Sequence, residues 1–369
     1  MSIKVAVFSA KPYDKQYLAA ALAAKKDESS GSGSGSGSGS SSDAAPFELV
    51  FHDFALGLDT VALARGATAV CVFVNDVLNA PVLEALHAEG VRAVLLRCAG
   101  FNHVDLVKAE TLGFFVANVP SYSPEAVAEF SVALLQTLNR RTHRAYNRVR
   151  EGNFALDGLL GTTLHGKTVG VVGTGRIGLA AARIFKGYGC RILAFDPYKS
   201  NDFLAEKLGD YEDDLDALLP QCDFVSLHCP LTKGTHHIIN EHTLARMKPG
   251  AMLVNTSRGG LIATKPVIAA LKSRHLGGVA LDVYEGEGGL FYNDHSGDII
   301  DDDELMRLMT FPNVLLCGHQ AFFTVEALTE IANVTLQNFA DFLLGHPCPN
   351  SLVRSHKLFV RRDSYPVRI

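Results

Sequence analysis

Three polar residues stand just beyond stretches that read as buried strands: Arg258 in NTSRGG, Glu287 in DVYEGE and His319 in GHQAFF. Taken singly they suit a surface arginine, a solvated glutamate and a hydrogen-bonded loop histidine. Together they supply what reduction of a 2-oxo acid requires. A guanidinium grips a carboxylate through two parallel hydrogen bonds and polarises the neighbouring ketone. An imidazolium donates its proton to a developing alkoxide near neutral pH. A carboxylate bonded to that imidazole orients the ring and favours its charged form. Such a set still needs a source of reducing electrons.

The run TVGVVGTGRIG, residues 168–178, points to that source. It is an apolar strand leading into a Gly-x-Gly-x-x-Gly turn. Gly173, Gly175 and Gly178 permit a tight turn, close approach of backbone N–H groups to a pyrophosphate, and close packing of the next helix. That helix, expected at 177–188, turns its N-terminus toward the anion. The following strand, 191–195, ends at Asp196, where a carboxylate accepts both ribose hydroxyls of NAD and repels the 2′-phosphate of NADP. Strand, helix and acid are three separate requirements, and the sequence meets all of them.

The elements that must carry these residues alternate. Strands are expected at 3–9, 47–53, 69–74, 93–97 and 116–119, with helices at 14–26, 59–64 and 80–89, which makes a small parallel α/β unit. The tract 29–42 alternates Ser and Gly and reads as a flexible insertion. A long helix at 125–147 leads to six further strands, at 169–172, 191–195, 224–227, 251–255, 278–282 and 314–317. The last helix, 325–344, has no strand to feed and is expected to pack back on the N-terminal unit. One domain, 121–318, is thus inserted within another made of 1–120 and 319–354, with hinges near 120 and 320. Residues 355–369 read as a flexible tail.

Composition narrows the partners. With 369 residues, 47% hydrophobic and 20% charged, the chain can build two sizeable cores. A net charge of −5 argues against nucleic acid. The absence of a membrane-length apolar run or a signal-like N-terminus suggests a cytoplasmic protein. Seven scattered cysteines without a Cys-x-x-Cys pair read as buried thiols. Neither His236–His237 nor the acidic run 294–304 has metal-binding spacing, so no metal is expected.

The chain resembles the D-isomer-specific 2-hydroxyacid dehydrogenases, and within them the fermentative D-lactate dehydrogenases. The carriers are LRCAGFNHVDL (96–106), NVPSYSPEAVAEF (118–130), NRRTHRAYNRVR (139–150), VGTGRIG, LAFDPY, SLHCPLT (226–232), VNTSRGGLI, LDVYEGE and GHQAFFTVEAL (318–328). The resemblance implies two doubly wound parallel-sheet α/β domains, a Rossmann NAD domain inserted into a flavodoxin-like substrate domain. It implies Arg258, Glu287 and His319 as the catalytic trio. Ala99 and Gly100 would receive the substrate carboxylate by their backbone, Tyr122 would lie at the active-site cleft, and Phe322 would wall the substrate side chain. NAD contacts would come from Gly173, Thr174, Gly175, Arg176, Ile177, Gly178, Asp196 and Pro197. Further contacts would come from His228, Cys229, Pro230, Thr256, Ser257, Arg258, Asp282, near the nicotinamide carboxamide, and His319. Phe130 departs from the pattern, standing where relatives commonly carry His, with a consequence expected in local packing or assembly. A symmetric homodimer or higher oligomer through the NAD domains is also implied. Pyruvate is the expected substrate. Bulkier oxo acids such as hydroxyphenylpyruvate or 2-oxoisocaproate remain open, as does an NAD(H)-sensing binding protein similar to the C-terminal-binding corepressors.

Overall fold

The computed structural model describes residues 3–30, of which 26–30 by backbone alone, residues 47–353, and the backbone of 358–360 and 366–368. The Ser-Gly insertion lies outside the described residues except for Ser29 and Ser30, which close the first helix. The chain divides into two compact units, Met1–Tyr122 with Thr324–Ile369, and Ser123–Phe323.

The first unit is built on five parallel strands, β1 (Ile3–Val7), β2 (Phe47–Phe51), β3 (Ala69–Val72), β4 (Ala93–Leu96) and β5 (Phe115–Ala117), in the spatial order β2-β1-β3-β4-β5. Runs such as AVCV and AVLL are buried at every residue, as strands covered on both faces require. Helices Pro12–Ser30 and Val325–Leu344 bring Leu18, Ala21, Leu336 and Phe339 against Val5, Val7 and Leu95. Thr324 caps the second helix through the Ala327 N–H, and Gly345 ends it at φ 68°, a left-handed conformation natural to glycine.

In the second unit seven parallel strands, β6 (Thr168–Val172), β7 (Arg191–Phe195), β8 (Asp210–Tyr211), β9 (Phe224–Leu227), β10 (Met252–Asn255), β11 (Gly278–Leu281) and β12 (Val314–Leu316), run in the order β12-β11-β10-β9-β6-β7-β8. The sequence predicts six; β8 is two residues long and too short for a periodic signal. Successive side chains of β6 serve opposite faces. Val169 and Val171 join a core with Leu135, Ala181 and Phe185, whereas Val172 joins one with Leu218, Leu227 and Leu253. Phe130 packs half-buried on the first of these cores.

The expected helix 125–147 is broken. The chain forms helices Pro124–Arg140 and Thr142–Arg150, with Arg141 between them at φ 51°. Side chains at the break capture the downstream loop: Asn139 bonds Thr162, and Arg141 donates to the carbonyls of Gly158 and Leu160. The second unit also runs to Phe323, past the expected boundary at 318, because residues 319–321 hang by three hydrogen bonds from Asp282. In the tail, β13 (Leu358–Val360) and β14 (Pro366–Arg368) pair antiparallel, where no regular structure is expected; the rest of the tail lies outside the described residues. No helix among the described residues is long and apolar enough to cross a membrane.

Candidate active site

Because every strand of the second sheet is parallel, all its C-terminal ends meet one edge, and the strand order sets what stands beside what. Along that edge come His319 after β12, Asp282 and Glu287 after β11, and Arg258 after β10. His228 and Cys229 follow β9, the glycine turn follows β6, and Asp196 follows β7. Strands lie about 4.8 Å apart, so Arg258 and His319 leave the sheet about 10 Å from each other. The chain order reverses between β6 and β9, the place where open α/β sheets take ligands.

The glycine turn is shaped for close approach. A Cβ on Gly178 would lie 1.9 Å from the Gly173 carbonyl oxygen, and one on Gly173 would lie 2.6 Å from the Cys229 nitrogen. Neither position admits a side chain. Gly175, by contrast, has nothing within 4 Å of its missing Cβ, and as N-cap of helix Arg176–Gly187 it offers no side-chain acceptor to the first-turn N–H groups. That leaves an open, anion-seeking helix terminus. The Asp196 carboxylate accepts the N–H and hydroxyl of Thr174 at 2.6 and 3.1 Å and the N–H of Tyr198 at 2.8 Å. A carboxylate has about four acceptor sites, so one remains for a ligand hydroxyl. Tyr211, on the unforeseen β8, donates to the Thr174 hydroxyl at 2.8 Å and steadies the turn.

Two buried polar atoms on the same sheet edge, His228 Nδ1 and Thr256 Oγ1, have no hydrogen-bond partner among the described residues. Burial pulls the His228 imidazole down to about 4, so it is neutral near pH 7, with Nε2 on the Ser226 hydroxyl at 2.8 Å. Orphaned buried polar atoms call for a polar ligand. With the open glycine cradle they fit a dinucleotide.

At the other end of the edge His319 is fixed on three sides. Its Nδ1 meets Glu287 Oε1 at 2.9 Å, its N–H donates to the Asp282 carbonyl at 2.7 Å, and its own carbonyl accepts the Tyr292 hydroxyl at 3.0 Å. A carboxylate only accepts, so Nδ1 carries the shared proton and Nε2 is left for chemistry. The backbone sits at φ 57°, a left-handed conformation that a histidine keeps only under external constraint. Glu287 is itself oriented by the Tyr284 N–H at 2.9 Å. Asp282 is fully buried, and both its oxygens accept N–H groups, of Gln320 and Ala321, at 2.8 Å. Burial pushes its carboxyl above the usual range, against the pull of those two amides. The resemblance sets Asp282 beside the nicotinamide; in the structure its oxygens hold the His319 loop.

Arg258 is half-buried on the loop after β10, its Nη1 donating to the Ser257 carbonyl at 2.7 Å while Asn255 holds the Arg258 carbonyl at 2.8 Å. Among the described residues no carboxylate pairs with it. The next residue, Gly259, lies so close to the Tyr284 carbonyl carbon that a Cβ would come within 2.0 Å. The arginine loop is thereby locked to the segment bearing Glu287. Phe322 is buried at the end of this unit, and Ser257 is tied to the Cys229 carbonyl at 2.7 Å. Pro197 and Pro230 are exposed beside Asp196 and Cys229. Ala99, Gly100 and Tyr122 belong to the first unit and are partly exposed. The N–H groups of Ala99 and Gly100 have no protein acceptor among the described residues.

Residues 132–321 match the sequence model of the D-isomer specific 2-hydroxyacid dehydrogenase NAD binding domain. The chain is 64% identical to 2-hydroxyacid dehydrogenase A of Aspergillus oryzae, with 100% of both proteins covered. It belongs to the D-isomer specific 2-hydroxyacid dehydrogenase family. This dehydrogenase is 61% identical to D-lactate dehydrogenase kk1H of Curvularia clavata, over 98% of each chain. The apo-structure of D-lactate dehydrogenase from Escherichia coli superposes with a TM-score of 0.82 at 47% identity, covering 95% of this chain and 100% of that one. The protein is therefore an NAD-dependent oxidoreductase acting on 2-hydroxy acids, with two parallel-sheet α/β domains, one of them a Rossmann domain. Sequence reasoning missed Tyr292 and Tyr211, whose links to the site are tertiary and leave no local pattern.

Proposed function

We propose that this dehydrogenase interconverts pyruvate and D-lactate, with Arg258, Glu287 and His319 as its catalytic residues. The observation that carries the reading is the His319–Glu287 pair at 2.9 Å, two strands along one sheet edge from Arg258, which has no carboxylate partner among the described residues. Arg258 grips the carboxylate and polarises the ketone. His319 Nε2 gives its proton to the oxygen that becomes the hydroxyl, and takes it back in the oxidative direction. Glu287, bonded to Nδ1, keeps the ring aimed during that transfer. NADH, when bound, would supply the hydride that the ketone carbon takes up. The backbone from Gly173 through Thr174, Gly175, Arg176 and Ile177 to Gly178 would hold the pyrophosphate, and Asp196 with Pro197 the adenosine ribose. His228, Cys229, Pro230, Thr256 and Ser257 would line the remainder. The N–H groups of Ala99 and Gly100, without a protein acceptor among the described residues, would be a carboxylate anchor on the first unit, and Phe322 on the second would be a wall for the substrate side chain.

The same polar groups would serve a larger oxo acid, so substrate choice rests on the apolar wall. Consumption of NADH with pyruvate, 2-oxoisocaproate and hydroxyphenylpyruvate tests this. Pyruvate is expected to turn over fastest, with D-lactate as product. A preference for the larger acids would move the assignment to them, and NADH binding without turnover of any would indicate a sensing protein.

We also infer a homodimer formed through the second unit. Leu156 and Leu160 are 80% and 86% exposed, beside exposed Tyr146, Val149 and Phe154 and the arginines of helix Thr142–Arg150. A second copy covering this apolar arm would explain so many exposed large side chains in one stretch. Light scattering is expected to give twice the chain mass, and Leu156→Asp with Leu160→Asp to give a monomer.

A further inference from the structure

The first unit holds a buried charge for which the reaction above has no use. Arg97, at the end of β4, is 1% exposed. Its Nε donates to Asp14 Oδ1 at 2.9 Å, its Nη2 donates to the Ser9 carbonyl at 2.8 Å, and its guanidinium lies 5.0 Å from the Phe73 ring. Ser9, held at φ 49°, passes the connection on: its hydroxyl donates to Asp76 at 2.8 Å. Asp76, also 1% exposed, accepts the N–H groups of Leu56 and Phe73 at 2.7 and 2.6 Å. One hydrogen-bonded chain thus joins the loops that leave β1, β2, β3 and β4. Burial alone would discourage the charge on Arg97, but the facing carboxylates of Asp14 and Asp76 keep it.

Stability is a poor reason for this arrangement. Buried ion networks are commonly no better than apolar residues of equal volume, and Arg97 Nη1 is buried with no hydrogen-bond partner among the described residues. Location gives a better one. The residues that follow are Cys98, Ala99 and Gly100. The Ala99 carbonyl accepts Asn118 Nδ2 at 2.7 Å, and the Gly100 carbonyl accepts the Cys98 thiol at 3.3 Å. With its carbonyls tied back into the protein, the turn leaves two adjacent N–H groups without a protein acceptor among the described residues, as anion-binding backbone turns do.

We propose that Arg97, braced by Asp14 and by Asp76 through Ser9, is a positioning residue that holds the Cys98–Gly100 turn in the shape that takes the substrate carboxylate. It touches no substrate itself. The inference rests on the 2-oxo acid reading of the site. Arg97→Lys keeps the charge but cannot serve Asp14 and the Ser9 carbonyl with one flat fork. Its pyruvate KM is expected to rise about tenfold or more while kcat stays within about threefold and NADH affinity within about twofold. A purely structural arginine would instead reduce the active fraction, lowering kcat per mole with an unchanged KM, and that result would overturn the proposal. Should Arg97→Lys fail to fold, Ser9→Ala removes only the hydroxyl bridge to Asp76. It is expected to raise the pyruvate KM about two- to fivefold, and an unchanged KM again overturns the proposal. Lack of oxo acid turnover in the unmutated protein would sink both readings, so the two failures are told apart before any variant is made.

Discussion

Two of the histidine–carboxylate pairs that the loop after β11 makes among the described residues do different things. His319 Nδ1 meets Glu287 at 2.9 Å; His237 Nε2 meets Glu285 at 2.8 Å. Both histidines have left-handed backbones, at φ 57° and 50°. Their surroundings separate them. His237 is stacked on His236 at 3.8 Å, and its acid partner also accepts the Thr264 N–H at 3.0 Å, at the start of helix Thr264–Lys272. The N-cap of that helix, Ala263, has no side-chain acceptor, so Glu285 acts as its capping carboxylate. His319 instead shares the sheet edge with a guanidinium that no carboxylate pairs with among the described residues. A histidine–carboxylate pair therefore does not mark a proton donor by itself; what matters is what its second nitrogen and its neighbours leave available.

Substitutions can break or sharpen this contrast. His319→Ala should lower kcat/KM for pyruvate about 1000-fold, as loss of a general acid does, with NADH binding retained. Arg258→Lys should cost about 10- to 100-fold in kcat/KM, the worth of about one charged hydrogen bond lost from the two-point grip. Steady-state kinetics at saturating NADH read both. Asp196→Ala should weaken NADH about tenfold and relax discrimination against NADPH, read by fluorescence titration with each coenzyme. Part of that loss is structural, because Thr174 gives up its acceptor.

The smallest effect belongs to the second pair. His237→Ala should leave kcat/KM within about twofold and lower stability by under about 1 kcal/mol, as exposed pairs do. Its partner gives the contrast a pH signature. Burial would raise the Glu285 carboxyl, but the donors Thr264 and His237 outweigh it and hold it below its ordinary 4.5. A depressed carboxyl stabilises the fold above the unfolded value, and that contribution disappears as pH falls through the folded value. Glu285→Gln should therefore be less stable than the parent at pH 7 and lose less on acidification below about pH 4.5, measured by denaturant unfolding.

How much of this could be read from residues in order follows from how each part is built. The glycine turn and Asp196 form a local device, its partners 22 residues apart on consecutive strands, so residue spacing alone points to it. Arg258, Glu287 and His319 were legible as polar residues after apolar strands, but not their relations, since the pairing spans 32 residues and depends on strand order. Asp282 shows the limit: its position was noticed, while its hold on the Gln320 and Ala321 amides is purely tertiary. The break at Arg141 was hidden for the same reason, because a helical period continues across it and the capturing loop comes later in the chain. Arg97 lay within the motif LRCAGFNHVDL, yet nothing in an arginine's type says that it is buried.

A crystal structure of the protein with NADH and oxamate, which mimics pyruvate with an unreactive amide, would test the site most directly. His319 Nε2 is expected within about 3 Å of the amide oxygen, with Arg258 on the carboxylate. Oxamate bound with that oxygen facing another donor, and His319 turned away from it, would contradict the assignment of the proton.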